Sequence, residues 1–397
     1  MFEQLQDAPA DPILGLMEAY ASDPRENKVN LTVGVYQDES GKTPVLSSVR
    51  QAGVDLLAQE KTKSYLPISG PPELGAAVRG LLFGAESSLV DGGRAITAQT
   101  PGGTGGLRIS GDFLKKHHPE AKIWLSDPTW PNHPAIFQAA GLSIAKYPYL
   151  DPATGCLDVD GMLEALRAVP AGDIVVLHGC CHNPTGVDPD AAIWREIAAT
   201  ALEKGWLPLV DLAYQGFGLG LEEDVQGLRA IAAQVPEFMV CSSFSKIFGL
   251  YRERIGAMTL VAATPDHARA ALSQLKITIR TSYSNPPAHG GQLVSMILRD
   301  PERASQWRAE LSVMRERIQA MRSGLADALR AAGARTDFDF LREQKGMFSL
   351  LGVSREQVET LRSDHAVYLV GSGRINVAGL SSANLDQVAK AIAAVGG

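Results

Sequence analysis

A lysine, a carboxylate and a glycine-rich loop are the residues whose types and spacing could do chemistry in this chain. Lys246 stands in SSFSKIFGLYRERIG (242–256), among small hydroxyl and glycine residues, with Arg252, Glu253 and Arg254 close behind. Asp211 closes the apolar run WLPLVD, 246 − 211 = 35 residues earlier. PGGTGGLRISGDFL (101–114) runs from glycine-rich backbone into a helical pattern. A helix start of that kind presents free N–H groups at a positive dipole end, a cradle for phosphate to which Thr104 adds a hydroxyl. Its spacing fits neither GxGxxG nor GxxxxGK[ST], which disfavours dinucleotides and nucleoside triphosphates and leaves a phosphate monoester. Taken singly, each feature has a plain reading: a surface charge, a helix cap, a flexible loop. Together they match what pyridoxal phosphate requires. The lysine would form the Schiff base, the carboxylate would keep the ring nitrogen protonated, and the cradle would anchor the phosphate. Arg254 would neutralise phosphate charge and help to lower the lysine's pKa.

The elements that must position these groups can be read from the apolar runs. AKIWLSD (121–127), DIVVLHGCC (173–181), WLPLVDLAY (206–214), EFMVCSSFS (237–245) and RIGAMTLVA (254–262) read as buried strands. Between two of them DAAIWREIAATALEKG begins after the turn VDPD and ends on glycine, the pattern of a capped helix. Repeated βα units predict an α/β fold around a mainly parallel sheet, with ligands beyond the carboxyl ends of the strands. Asp211 and Lys246 both fall at such ends. Trp307, Leu311, Met314, Ile318, Met321, Leu325 and Leu329 recur at three- and four-residue intervals, one stripe of a long helix bridging two lobes. Beyond it GMFSLLGV, SREQVETLRSD and VYLVGSGRINVAGL form a small α+β unit. The expected division is a large domain over residues 46–312 and a small one made of 1–45 and 313–397.

Bulk composition narrows the class. The chain has 397 residues, 45% hydrophobic and 20% charged, enough for two compact domains, and a formal net charge of −7 with no basic face to hold nucleic acid. No apolar run reaches the roughly 18 residues of a membrane helix, and four cysteines are too few for a disulfide framework, so a cytoplasmic protein is expected. Cys180, Cys181 and His182 in HGCCHNPTG invite a metal reading, but adjacent ligands close a tetrahedron poorly, and no metal is expected.

The blocks NLTVGVYQDESGKTPVL, SYLPISGPPE, TPGGTGGLR, DPTWPNH, HGCCHNPTG, DLAYQGF, SFSKIFGLYRERIG, YSNPPAHG and SGRINVAGL occur in one order over nearly the whole chain. In these the chain resembles the fold-type I aminotransferases, specifically the class I aspartate and aromatic aminotransferase group. The resemblance implies a seven-stranded large-domain sheet flanked by helices. It implies that Lys246 bonds pyridoxal 5'-phosphate and does the proton transfer, that Asp211 pairs with the ring nitrogen with His133 behind it, and that Asn183 and Tyr214 hydrogen-bond the phenolic oxygen. Trp130 would stack on the ring, while Gly103, Thr104, Ser243 and Arg254 hold the phosphate, joined by Tyr65 from a second subunit of a homodimer. Arg374 would clamp the substrate's α-carboxylate in a bidentate fork, with Gly34, Trp130, Asn183 and Phe348 around the substrate. Arg280, from the other subunit, would meet the distal carboxylate of a dicarboxylate, although Thr281 and Ser282 depart from the family pattern.

The implied reaction is ping-pong transamination between amino acids and 2-oxo acids, with 2-oxoglutarate as acceptor. Gln37 and Ser64 differ from what a strictly aspartate-selective enzyme would carry, which favours activity on both aspartate and the aromatic amino acids Phe, Tyr and Trp. A lyase or decarboxylase could use the same lysine to break another bond, and product analysis separates these from a transaminase. A non-catalytic regulator on this fold would need a DNA-reading module, for which no room is expected, since the first family block begins by about residue 29 and the last ends near the C-terminus.

Overall fold

The computed structural model describes residues 2–7 and 14–396. In chain order its strands are β1 (Val29–Asn30), β2 (Ala95–Pro101), β3 (Lys122–Asp127), β4 (Ser143–Pro148), β5 (Ile174–His178), β6 (Leu207–Leu212), β7 (Phe238–Ser243), β8 (Ile255–Val261), β9 (Phe348–Leu350), β10 (Val367–Tyr368) and β11 (Arg374–Asn376). The described chain separates into two compact units. One comprises residues 43–317 with 344–346, the other 1–42, 318–343 and 347–397. The boundaries thus lie at 43 and 317 rather than 46 and 312, and a short return segment joins the larger unit.

The larger unit is built on a seven-stranded sheet of order β2-β8-β7-β6-β5-β3-β4. All neighbours in it run parallel except β8, which is antiparallel to both β2 and β7. Central strands β5, β7 and β8 are buried along their whole length, which explains their unbroken apolar runs. Strands β2 and β4 were not evident from the sequence. AITAQTP is rich in small polar residues, and SIAKYP is an edge strand with exposed positions, so neither forms a run of branched residues. The helix Ala191–Lys204 begins as expected, with the Asp190 carboxylate accepting from the N–H groups of Ala192 and Ile193, and ends at Gly205 with φ of 73°. Leu107, Leu114, Ile123, Leu125, Val176, Leu209, Met239 and Met258 belong to the apolar core around the sheet.

In the smaller unit β1 pairs in parallel with β10, and β9 runs antiparallel to β11, placing Phe348 opposite Asn376 and Leu350 opposite Arg374. SREQVETLRSD forms the helix Arg355–His365, started by a capping box in which Ser354 and Gln357 satisfy each other's backbone N–H. The long helix Pro301–Ala331 buries Trp307, Leu311, Met314, Ile318, Leu325 and Leu329. The stripe departs from expectation at one point: Met321 is half-buried, and its neighbour Arg322 is fully enclosed.

Candidate active site

Strand register brings the chemistry-bearing residues of the larger unit together. His178 on β5 lies opposite Asp211 on β6, and Asp211 lies opposite Cys241 on β7, so the last turns of three parallel strands align in one row. Two residues past Cys241, β7 ends at Ser243, and the chain turns through Ser245 to Lys246. The cleft at these strand ends is lined by Gly103, Thr104, Trp130, His178, Asn183, Asp211, Tyr214, Ser243, Ser245, Lys246, Tyr251 and Arg254. The space enclosed within it is about 140 Å³.

One wall is the N-terminus of the helix Gly102–His117, which follows directly from β2. Gly102 has φ of 72°, and a Cβ there would lie 2.4 Å from Nη2 of Arg254. A Cβ on Gly103 would lie 3.0 Å from the Cβ of Ser243. The glycines therefore let helix backbone, serine and guanidinium converge, an arrangement suited to an anion. Arg254 itself adopts φ of 52°, a left-handed conformation that costs an ordinary residue about 1–2 kcal/mol. Its Nη1 donates to the carbonyl of Tyr251 at 2.9 Å and to Oγ of Ser245 at 3.4 Å.

The opposite wall carries the titratable groups. Nε2 of His133 is 3.1 Å from Oδ2 of Asp211, Nδ1 of His133 is 2.8 Å from Oγ1 of Thr129, and that hydroxyl is 3.1 Å from Nε2 of His178. Burial alone would raise the Asp211 carboxyl. The His133 hydrogen bond and the nearness of His133, His178 and Lys246 outweigh it and hold the group below its ordinary value. Burial, with His133 alongside, pushes His178 down to about 3, so it is neutral at physiological pH. Lys246 is brought down to about 8 by burial, which the Asp211 charge opposes and the Arg254 charge assists. Its Nζ lies 4.9 Å from the centre of the Tyr214 ring. The Trp130 ring meets His133 edge-on at 5.2 Å.

Of the residues expected at the site, Gly103, Thr104, Trp130, Asn183, Asp211, Tyr214, Ser243, Lys246 and Arg254 line this one cleft, and His133 is buried behind Asp211. Gly34, Phe348 and Arg374 form a separate cluster in the smaller unit. Arg374 is buried, its Nη2 donates to the carbonyl of Thr32 at 2.7 Å, and its Cζ lies 4.3 Å from the centre of the Phe348 ring. A Cβ on Gly34 would come within 3.0 Å of that ring. Tyr65 is 92% exposed and does not line the cleft. Arg280 is also exposed, near the end of the helix Pro265–Ser282, where it donates to Oγ of Ser284.

Sequence reasoning did not single out His178, Ser245 or Tyr251, although all three lie in motifs it quoted. Aligning the polar ends of successive parallel strands would have exposed His178, since it and Asp211 occupy the same row. Asp224 was also missed. One of its carboxylate oxygens lies with the thiols of Cys180 and Cys181 inside a 4.8 Å cluster. That carboxylate already accepts from the N–H groups of Gly216, Gly218, Leu219 and Gly220, and the Cys180 thiol is raised by its contact with Cys181 and by burial, which opposes the thiolate a metal needs.

Comparison with known proteins agrees with this geometry. The family model described as aminotransferase class I and II matches residues 26–392. The chain is 51% identical to the aspartate aminotransferase of Escherichia coli over 395 residues, covering 100% of both chains. It is 48% identical to the aromatic-amino-acid aminotransferase of Pseudomonas aeruginosa, covering 99% of this chain and 98% of that one. The structure of the aromatic-amino-acid aminotransferase of Burkholderia pseudomallei, covalently bound to pyridoxal phosphate, superposes with a TM-score of 0.98 at 48% identity over 100% of both chains. With its lysine, carboxylate and helix terminus meeting in one cleft, this chain belongs to the class I and II aminotransferase family.

Proposed function

We propose that this protein is a transaminase that uses pyridoxal 5'-phosphate to transfer the amino group of aspartate, of the aromatic amino acids, or of both, to 2-oxoglutarate in a ping-pong cycle. The observation that carries this reading is the convergence of the Lys246 amine, the Asp211 carboxylate and the N-terminus of the helix Gly102–His117 on one buried cleft. The cleft fits the cofactor: the glycine-lined helix start and Arg254 suit its phosphate, and a buried carboxylate held ionised suits its ring nitrogen. When bound, that cofactor supplies an electron sink for the bonds at the substrate's Cα.

The chain's own residues divide the rest of the work. Gly103, Thr104, Ser243 and Arg254 hold the phosphate; Asp211, supported by His133, keeps the ring nitrogen protonated; Asn183 and Tyr214 donate to the phenolic oxygen; and Trp130 covers the ring. Lys246 would anchor the cofactor covalently. Its amine, which burial brings down to about 8, takes the substrate's Cα proton and gives it back. Arg374 binds the α-carboxylate as a planar fork, with Gly34 and Phe348 supporting it and Trp130 and Asn183 beside the substrate.

Tyr65 and Arg280 act from the second subunit of a homodimer, the first on the phosphate and the second on a distal carboxylate. Their exposure supports this reading. Four cysteines without a disulfide suit the cytoplasm, and no helix among the described residues is long and apolar enough to cross a membrane.

The test is the absorption spectrum of the purified holoenzyme before and after aspartate and, separately, phenylalanine, with no oxo acid present. Loss of the yellow band with both assigns dual specificity, and loss with one assigns that substrate class. A protein that stays colourless after incubation with pyridoxal phosphate would sink the proposal.

A further inference from the structure

Arg322 is fully buried in the smaller unit, one position past Met321, the half-buried residue that the apolar stripe of the long helix places on its core face. A buried guanidinium is tolerated where fixed acceptors replace its water. Two of its acceptors lie on β9: Nη2 donates to the carbonyl of Phe348 at 2.7 Å and Nη1 to Oγ of Ser349 at 2.6 Å, while Nη1 also donates, more weakly, to the carbonyl of Leu341 at 3.4 Å in the helix Phe340–Glu343. Phe348 and Ser349 are the first two residues of β9, and their partners Asn376 and Ile375 follow Arg374 on β11. The Phe348 ring is the face on which the Arg374 guanidinium lies, at 4.3 Å. The ring also meets the backbone at Gly34, where a Cβ would lie 3.0 Å from its Cζ.

We propose that Arg322 is a positioning residue for recognition of the substrate's α-carboxylate: it fixes the backbone of Phe348, whose ring sets the plane of Arg374. This rests on the reading of Arg374 as the carboxylate fork. A fork binds a carboxylate through two parallel hydrogen bonds only while its plane is held, and a planar cation over an aromatic face is held in plane without being neutralised. Arg322 supplies what the ring cannot, a fixed height and tilt of β9. Because every amino-acid substrate has the same α-carboxylate, loosening the support weakens all of them by one common factor, whatever their side chains.

The experiment follows the half-reaction of the holoenzyme with aspartate and with phenylalanine in single turnover, separating the apparent Kd from the maximal rate. Arg322→Met is expected to raise the apparent Kd about tenfold for both amino acids, with the maximal rate changed less than about threefold. Arg322→Lys, which can keep one of the acceptors, is expected to fall between wild type and Arg322→Met. Ser349→Ala, a milder change that removes one acceptor, is expected to raise both Kd values about threefold, and it decides the matter if Arg322→Met does not fold. A lowered melting temperature with wild-type Kd values well below it would make Arg322 merely structural and overturn the inference. Unequal factors for the two amino acids would also overturn it. A wild-type protein that reacts with neither would instead overturn the transaminase reading itself.

Discussion

The strand-end cleft of the larger unit and the arginine cluster of the smaller one are built from opposite kinds of charge. In the cleft, Arg254 aside, the charged groups can change protonation, and burial and neighbours set their state: Lys246 is brought down to about 8, Asp211 is held ionised and His178 neutral. In the cluster the charges are guanidiniums, which do not titrate in proteins, and carbonyls, a hydroxyl and an aromatic ring fix their geometry. Tunable charge suits moving a proton. Permanent charge suits holding a carboxylate still. The contrast teaches that chemistry and orientation can be assigned to different parts of one chain, so that substitutions in one should change rate and in the other binding.

The largest effect that could break this division is at Lys246. Lys246→Ala is expected to lower turnover by more than about 10⁴, because the proton acceptor and the covalent anchor are lost together; steady-state assays with aspartate and 2-oxoglutarate measure it. Asp211→Asn comes next. Losing one preorganised electrostatic group costs about 10²–10³ in rate, and the loss should appear in the maximal half-reaction rate. A variant that lost only affinity would place Asp211 with the binding groups and erase the contrast.

Arg374→Ala should cost about 10² in kcat/KM for aspartate and phenylalanine alike, through the lost charged hydrogen bonds. Arg280→Ala sharpens the comparison further. It should reduce kcat/KM about tenfold to a hundredfold for aspartate and leave phenylalanine near wild type; equal losses would remove Arg280 from side-chain recognition.

The smallest effect is a pH midpoint. Only the neutral Lys246 amine can attack the cofactor's aldehyde, and lowering its pKa to about 8 moves the neutral form to lower pH than an ordinary lysine near 10.5. The rate of recombination of apoenzyme with pyridoxal phosphate should therefore rise with pH and level off above about 8. A rate still climbing steeply at pH 10 would show that burial does not tune this amine.

Five of the seven sheet strands were legible because their buried runs are apolar and branched, and the sequence overran their ends by only one to three residues. Strands β2 and β4 were not, since one is rich in small polar residues and the other lies at an edge. The cleft was legible in outline for a related reason: a glycine-rich helix start, a strand-end aspartate and a lysine after a strand are each local signals. His178 and Arg322 gave no such signal. A histidine in an apolar run and an arginine beside a helical stripe look like ordinary exceptions until strand register and packing reveal what they face.

The residue types alone determined that a phosphate-bearing carbonyl cofactor suits this chain, because glycine backbone and a reactive amine carry their chemistry wherever they sit. Local periodicity also determined the alternation of strands and helices that carries Asp211 and Lys246 to strand ends. Only the tertiary structure decided the state of those groups. His133 meets Asp211 across 78 positions of sequence, and the enclosure that lowers the Lys246 amine, like that around Arg322, is a property of packed neighbours rather than of any residue. Desolvation and hydrogen bonding exist only once the chain has closed around a group, so the protonation that permits catalysis and the rigidity that orients the substrate were not contained in any local stretch.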